Sequence, residues 1–441
     1  MNVVEGLWGD LFSHLKERDV HPPLYFVLTK GLGAVAGFDE IGLRLLSVIA
    51  GTCAPLFAFL LGRKLWNRRS GLIAASLVAV SPFCVYYARE ARGYSLLLCL
   101  SLAATWLFFR AAPLFRLRPL AAYTAVAALL PLVHVFGFFT LAAHGLGAAL
   151  LVLERRAHDH GDRATARRLI VAAVFVALAY LPWLPATCAQ VGRVGQGFWV
   201  PRPHPATWFH SWVGEGVSSW AWVIGTVLAA LATLWRWTRK SPALFSTAVA
   251  GLLFPCLLPI ALSYVVQPFF MPKYAIAASG LTLVLAAGSL AERRCPWPRL
   301  TIGLLLAIGA GETIRDVHSR KTKEQWRELA AHASYQAVEL KVPLVMTVHF
   351  ATHLRHYLDP RAPLWPVGHH ELITPGPDGL AQKLAAAGKD RFWLLNIHPD
   401  QADPALAPLF LQRWVPVDIR RWLGTQAVLW VDAKSIPGHS Q

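Results

Sequence analysis

The sequence predicts a mainly α-helical, polytopic membrane protein with a small α/β domain at its C-terminus. Hydrophobic residues make up 55% of the chain and charged residues only 15%, whereas soluble domains carry about 25% charged residues. Apolar segments long enough to cross ~30 Å of hydrocarbon follow one another as far as residue 314. Beyond that residue the chain is more polar, and short apolar runs alternate with turn residues, which is typical of a small folded domain.

Ten apolar segments form the predicted membrane domain, residues 1–314. They lie near residues 41–62, 71–87, 93–110, 119–134, 136–153, 169–187, 218–235, 243–266, 274–291 and 299–314. The segment 22–37 is also apolar but is short and rich in Gly. This composition is typical of a helix that lies at the membrane interface rather than one that crosses it.

The basic residues are distributed as a membrane topology requires. Alternate connections hold 18 Lys and Arg, whereas the intervening connections, which include residues 88–92 and 267–273, hold 5. By the positive-inside rule the basic connections are cytoplasmic. Glu90 and the C-terminal domain are therefore predicted to lie on the outer side. Because most of the net charge of +17 is dispersed over the connections between the spans, a nucleic-acid partner is not expected.

The N-terminus does not fit this topology without an additional segment. Ten spans and an external C-terminus require an external N-terminus, but residues 1–20 contain neither a signal peptide nor a span. We therefore expect an eleventh span upstream of Met1 in an intact relative.

The C-terminal domain, residues 315–441, is predicted to be a small extracytoplasmic α/β domain. The segment from Lys323 to Leu340 has an amphipathic helical pattern. Three short apolar runs bounded by turn residues are predicted strands: Pro343 to Val348, Arg391 to Ile397 and Gln426 to Val431. Its His349, His353 and His356 follow helical spacing, and we interpret them as a polar face, with a metal site as the alternative.

A series of motifs occurs in a fixed order along residues 15–330. The first five are Asp19-Val20-His21-Pro22-Pro23-Leu24-Tyr25-Phe26, Arg44-Leu45-Leu46-Ser47, Leu61-Gly62-Arg63-Lys64-Leu65, Ser81-Pro82-Phe83 and Tyr87-Ala88-Arg89-Glu90-Ala91-Arg92-Gly93-Tyr94. The last three are Tyr180-Leu181-Pro182-Trp183-Leu184-Pro185, Pro272-Lys273-Tyr274 and Lys323-Glu324-Gln325-Trp326-Arg327. In this order they resemble bacterial membrane glycosyltransferases related to protein O-mannosyltransferases and aminoarabinose transferases, which have the GT-C fold.

The resemblance implies a function at the outer face of the inner membrane. Such enzymes transfer a sugar from a polyprenyl-phosphate carrier to a lipid, glycan or protein acceptor, usually with inversion. Inverting transfer needs a carboxylate to remove the proton of the acceptor hydroxyl and cations to hold the phosphate leaving group. Glu90, which lies between Arg89 and Arg92, provides both kinds of group. The sequence indicates no metal, although a divalent cofactor stays open.

The resemblance also suggests roles for the remaining candidate residues. The principal catalytic Asp of these enzymes lies on a loop upstream of the first residue of this chain, so Asp19 is expected to position an acceptor or a metal. Four residues are assigned to the donor phosphate: His21, Arg89, Arg92 and Lys273. Tyr94 and Trp199 are assigned to the sugar or the acceptor.

Each assignment has a structural alternative. Glu90 can form an interfacial salt bridge, His21 can belong to a Pro-bounded turn, Lys273 can anchor a span end, and Trp199 can belong to an interfacial aromatic belt. Two other functions also stay open, a transporter or flippase of lipid-linked sugars and an inactive, truncated relative of the enzyme. A transporter would have internal repeats and broken helices near the midplane, whereas the charged residues here concentrate at the outer ends of the predicted spans.

Overall fold

A computed structural model describes residues 2–17, 19–112, 115–157, 163–195, 200, 202–203, 220–237, 242–266, 268–291, 297–318, 325–347, 351, 354–367, 377–397, 411, 413–422 and 425–435. The chain divides into two compact units, Met1–Arg315 and Asp316–Gln441. The first unit is helical, and the second combines helices with a five-stranded sheet.

The helices of the first unit follow the apolar pattern of the sequence. They are α1 (Asn2–Glu5), α2 (Trp8–Glu17), α3 (Leu24–Ala36), α4 (Glu40–Leu65), α5 (Arg68–Val80), α6 (Pro82–Ala88), α7 (Tyr94–Ala111), α8 (Leu117–Val133), α9 (Gly137–Ala157), α10 (Arg163–Tyr180), α11 (Leu184–Gly195), α12 (Trp220–Trp237), α13 (Pro242–Leu253), α14 (Leu257–Val265), α15 (Ile276–Leu290) and α16 (Trp297–His318). The short apolar segment 22–37 is helical, as predicted, and corresponds to α3.

All ten predicted spans fall on these helices, but fewer than ten have the length and composition of a membrane span. Six segments meet both criteria: Glu40–Leu65, Tyr94–Ala111, Gly137–Glu154, Arg163–Arg193, Trp220–Trp237 and Pro272–Leu290. Two bent helix pairs, α5 with α6 and α13 with α14, raise the number among the described residues to as many as eight. The remaining two predictions correspond to α8, a shorter apolar helix, and to α16.

The predicted span 71–87 is broken, because Ser81 and Pro82 end one helix and begin another. The Ser81 side chain accepts a hydrogen bond from the amide of Cys84, at 3.4 Å, and so caps α6. Pro82 occupies the first turn, where its missing N–H leaves no helical bond unmade. The axes of α5 and α6 differ by 60°. This bend directs the end of α6 into the sequence Arg89-Glu90-Ala91-Arg92.

Small residues let α4 and α5 pack closely. A Cβ atom added at Gly71 would lie 2.6 Å from the carbonyl oxygen of Phe59, and one added at Gly62 would lie 3.1 Å from Gly71 Cα. In a membrane, where apolar side chains gain little by leaving lipid, such close backbone contact is a main source of helix association. The pair α4–α5 therefore forms a fixed support for the bend that follows α5.

The second unit contains the helix and the three strands that the sequence predicts. Its elements are α17 (Trp326–Val338), β1 (Leu344–Thr347), β2 (Leu364–Val367), α18 (Pro377–Ala386), β3 (Arg391–Ile397), β4 (Trp414–Trp422) and β5 (Thr425–Asp432). The strand order is β2-β1-β3-β5-β4, with β1 parallel to both β2 and β3, and with β5 antiparallel to both β3 and β4. The edge strands β2 and β4 were not predicted.

The histidines of the second unit are only partly described. His356 is exposed, and its ring contacts Tyr357 with a centroid distance of 5.1 Å. His349 and His353 lie outside the described residues. The two interpretations of these histidines, a polar face and a metal site, therefore stay predictions.

Candidate functional site

Asp19 and His21 form a hydrogen-bonded pair just before α3. Asp19 Oδ1 lies 2.5 Å from His21 Nδ1, and it also accepts the amide protons of Val20 and His21 at 2.6 and 3.1 Å. Burial raises the pKa of the Asp19 carboxyl group, but the hydrogen bond and charge of His21, with the two amide bonds, outweigh it and lower the pKa to about 2. Asp19 is therefore a weak base that holds His21 in place.

Helix α11 supports this segment from the other side. Arg193 Nη2 donates to the carbonyl oxygen of Asp19 at 2.9 Å, and Gln190 Nε2 donates to the carbonyl oxygen of Leu15 at 3.0 Å. Leu15 is fully buried in a cluster that includes Trp183, a residue of the Tyr180–Pro185 motif. The motif thus has a structural role, because it begins the helix that holds the Asp19–His21 segment.

A chain of two hydrogen bonds connects the turn that carries Glu90 with α3 and α4. The Ser47 hydroxyl donates to the carbonyl oxygen of Arg92 at 3.0 Å. Because that hydroxyl has one proton, it accepts from the Tyr25 hydroxyl, at 2.9 Å. Within the turn, the amide of Arg92 donates to the carbonyl oxygen of Glu90 at 2.8 Å. The position of Glu90 therefore depends on Tyr25 and Ser47.

The charged side chains of this turn differ in exposure. Arg92 is exposed, whereas Arg89 and Glu90 are half-buried. Arg92 interacts electrostatically with Glu90, Tyr94 and Tyr274. Since Tyr274 lies far along the chain, just before α15, the Arg92 guanidinium group joins two distant parts of the first unit.

His134 is the residue on which the separate segments meet. Its ring centroid lies 5.9 Å from that of His21, 5.8 Å from that of Tyr94, 5.2 Å from that of Tyr274 and 5.4 Å from that of Phe136. The Tyr94 and Tyr274 rings also contact each other, at 6.2 Å. These five rings form one aromatic cluster. His21 and Tyr94 are themselves predicted site residues, and Tyr274 follows the predicted site residue Lys273 in the sequence.

Lys273 lies beside this aromatic cluster. It belongs to a single 3-10 turn, Pro272–Ala275, which precedes α15. Its Nζ atom lies 5.9 Å from the centroid of the Tyr274 ring, within the range of a cation–π contact. Lys273 and His21 both lie within electrostatic reach of His134. Residues from four regions, at 19–21, 89–94, 134–136 and 273–274, therefore share one neighbourhood.

The structure thus brings together most, but not all, of the residues that the sequence suggested. Trp199 lies outside the described residues. Among the described residues, no group of three or more His, Cys, Asp or Glu side chains could hold a metal ion. Four members of the neighbourhood had no role assigned from the sequence: Tyr25, Ser47 and Tyr274, which belong to the motifs, and His134, which does not. His134 had a detectable signal, since ionisable residues inside predicted spans are costly and usually functional.

A family model matches residues 20–185 of the chain. The family is described as dolichyl-phosphate-mannose-protein mannosyltransferase. The matched range includes His21, Glu90, Arg92 and His134, but it ends before Lys273. A comparison with curated protein sequences finds no match.

Two solved structures have a similar fold. ArnT from Cupriavidus metallidurans, bound to undecaprenyl phosphate, has a TM-score of 0.54 and 16% identity, over 93% of this chain and 88% of that chain. The oligosaccharyltransferase AglB from Archaeoglobus fulgidus, in complex with an inhibitory peptide and a dolichol-phosphate, has a TM-score of 0.54 and 12% identity, over 95% of this chain and 67% of that chain. At such low identities the similarity establishes the fold.

Proposed function

We propose that this chain, a multi-pass membrane protein of the GT-C fold similar to the protein O-mannosyltransferase and aminoarabinose transferase superfamily, is a glycosyltransferase with a polyprenyl-phosphate-linked donor. It transfers the sugar to an acceptor hydroxyl at the outer face of the membrane, with inversion. One observation carries the proposal. Groups able to bind phosphate come from three distant segments, at His21, Arg92 and Lys273, and they meet at one aromatic cluster.

These groups suit the leaving group of the reaction. When the glycosidic bond breaks, its electron pair leaves with the phosphate, and the added negative charge is stabilised by cations and hydrogen-bond donors already in position. Arg92 and Lys273 supply positive charge, and Arg89 lies in the same turn as Arg92. His21, when protonated on both nitrogens, donates from Nδ1 to Asp19 and from Nε2 to a phosphate oxygen.

Glu90 is the proposed general base. The acceptor oxygen attacks the anomeric carbon from the side opposite the phosphate, its proton passes to the Glu90 carboxylate, and polyprenyl phosphate leaves. Asp19 is less suited to this role, because its pKa of about 2 makes its carboxylate a poor proton acceptor at neutral pH. We assign Asp19 a positioning role through His21.

Tyr94 and Trp199 are proposed to contact the sugar or the acceptor. The Tyr94 ring is 1% exposed and is part of the aromatic cluster, so it fits a wall of the sugar site. For Trp199 the proposal rests on the sequence alone. We also propose, from the charge distribution of the connections, that the protein lies in the inner membrane with the second unit on the outer side.

A transporter or flippase of lipid-linked sugars is the second candidate. Two helix pairs are bent by 60° and 45°, and broken helices are a feature of many transporters. The first of these breaks, however, leads directly into the turn that carries Glu90 and Arg92. A base beside a phosphate site has a direct use in transfer, which favours the enzyme.

The test uses purified full-length protein in liposomes that contain undecaprenyl-phosphate-linked monosaccharides and a membrane extract as acceptor. We expect release of undecaprenyl phosphate by the wild type. For Glu90→Gln the release falls at least about 100-fold, because general-base catalysis contributes 10²- to 10⁴-fold. The matched control is Glu339→Gln, which changes an exposed carboxylate of the second unit and leaves the rate unchanged.

The same experiment separates the two candidates. Movement of the lipid-linked sugar across the bilayer without release of undecaprenyl phosphate would contradict the enzyme and favour the transporter. Full activity of Glu90→Gln would contradict the assignment of Glu90 as the base, but it would not contradict the proposed transferase activity.

A further inference from the structure

We infer that His134 donates a hydrogen bond to the phosphate group of the polyprenyl donor, as a neutral imidazole held in one tautomer. The inference rests on the proposed function and adds a residue to its phosphate site. His134 directly follows α8, and its side chain is 5% exposed.

The protein backbone determines which ring nitrogen of His134 carries the proton. The amide of Phe136 donates to His134 Nδ1 at 3.2 Å. Since Nδ1 accepts a hydrogen bond, a neutral imidazole carries its proton on Nε2. The turn itself is closed by the amide of Gly137, which donates to the carbonyl oxygen of His134 at 2.8 Å. His134 therefore provides a donor at Nε2 whose tautomer is set by the adjacent main chain.

The neighbours of His134 connect it with every proposed phosphate-binding segment. Its ring contacts His21 directly. It contacts Tyr94, which interacts with Arg92, and Tyr274, which lies under Lys273. An anion that binds His21, Arg92 and Lys273 together therefore lies against His134. A neutral donor at this point adds a hydrogen bond without adding a further positive charge to the group of cations.

A second buried histidine shows what a purely structural imidazole looks like in this protein. His144 is 3% exposed, and both its nitrogens are bonded within the bundle: Tyr123 Oη lies 3.3 Å from Nδ1 and Thr105 Oγ1 lies 3.2 Å from Nε2. For His134 the described residues supply a partner only at Nδ1. The Nε2–H group of His134 is therefore available to donate a hydrogen bond to a ligand.

Two substitutions separate the donor from the structural bond. In His134→Asn the amide oxygen replaces Nδ1 and keeps the bond to the Phe136 amide, but the donor at Nε2 is lost. In His134→Gln the longer side chain places an NH₂ donor near the position of Nε2. The control is His144→Asn, the same change in an equally buried histidine with a different set of contacts.

The measurement is the affinity of the full-length protein in nanodiscs for undecaprenyl phosphate and for undecaprenol. We expect the wild type to prefer the phosphate lipid. His134→Asn weakens binding of the phosphate lipid by about 10- to 100-fold, as loss of a hydrogen bond to a charged group predicts, and leaves undecaprenol binding unchanged. His134→Gln regains at least part of the preference, and His144→Asn retains all of it.

The outcomes distinguish this inference from the proposed function. Wild-type affinity in His134→Asn, with the preference for the phosphate lipid intact, would overturn the role of His134 alone. No preference in the wild type would overturn the phosphate site and with it the proposed function. Inorganic phosphate should compete only weakly; equal competition would assign the donor to free phosphate and overturn its assignment to the lipid.

Discussion

At the scale of single residues, hydrogen-bond partners distinguish the two acidic candidates. Asp19 is bonded to His21 and to two backbone amides, which lower its pKa, whereas Glu90 lies on the turn between Arg89 and Arg92. The sequence placed Glu90 before Asp19 as the base through the family resemblance, whereas the low pKa of Asp19 depends on local bonds that the sequence does not show. His134 was missed for a similar reason, since three of its ring contacts are with residues at least 40 positions away.

The Asp19–His21 pair predicts a pH dependence of stability. The pKa of Asp19 is lowered from 3.8 to about 2, so its stabilising effect is present above the unfolded-state value and is lost as the pH falls towards 2. The shift corresponds to roughly 2 kcal/mol. We expect the unfolding free energy of the wild type to exceed that of Asp19→Asn by about this amount at pH 6, and the difference to fall to a small fraction of it near pH 2.

Denaturant titrations of the two proteins in the same detergent would measure this difference. The control is Glu17→Gln, because Glu17 is exposed on α2 and its substitution should change the stability little at any pH. If the difference in unfolding free energy between wild type and Asp19→Asn stayed constant from pH 6 to pH 2, the stabilisation would not come from the ionised Asp19 carboxylate.

At the scale of elements, the apolar pattern predicted where helices occur but not where they bend. The segment 71–87 reads as one hydrophobic stretch, yet Ser81 and Pro82 divide it, because a Ser cap followed by Pro is a helix start even inside an apolar run. In the second unit, β2 is short and contains Pro366, and β4 carries Asp418 and two Arg residues. Edge strands of this kind avoid further pairing and lack the alternating pattern that predicts a strand.

The close contact of α4 and α5 predicts which glycine the fold requires. In Gly71→Ala the new Cβ atom would lie 2.6 Å from a backbone oxygen that cannot move independently, so we expect a loss of about 1–3 kcal/mol of unfolding free energy. Gly31→Ala in α3 is the control, because a Cβ there meets nothing within 4 Å. Thermal unfolding in detergent would measure the stability of both variants. Equal stability of Gly71→Ala and Gly31→Ala would contradict the close backbone contact of α4 and α5 at Gly71.

At the scale of the whole molecule, composition and motif order were sufficient for the fold class. The GT-C fold and the helical first unit agree with the sequence prediction, and the sheet of the second unit agrees as well. The convergence of residues 19–21, 89–94, 134–136 and 273–274 could not be predicted. It depends on how α3, α7, α8 and α15 pack, and side-chain contacts between distant segments leave no periodic pattern in the sequence.

The topology of the first unit gives a prediction at this scale. The positive-inside rule places the connection at 63–69 in the cytoplasm and the turn at 88–92 outside. In a variant with Cys188, an exposed cysteine of α11, and Cys295, in the basic connection 291–299, both replaced by Ser, we expect Ala91→Cys to react with a membrane-impermeant maleimide in intact cells. Asn67→Cys should react only after permeabilisation. The opposite pattern would invert the topology and place the site on the cytoplasmic side.

If cations from distant segments hold one phosphate, a double-mutant cycle on Arg92 and Lys273 will show that the two residues are coupled. We would measure kcat/KM for sugar transfer from an undecaprenyl-phosphate donor with Arg92→Gln, Lys273→Gln and the double variant. Each single change should lower the rate constant by about 10²- to 10³-fold. The double change should lower it by clearly less than the product of the two, because both residues act on the same charge. Losses that multiply fully, or no loss from either single change, would show that Arg92 and Lys273 do not act on one phosphate.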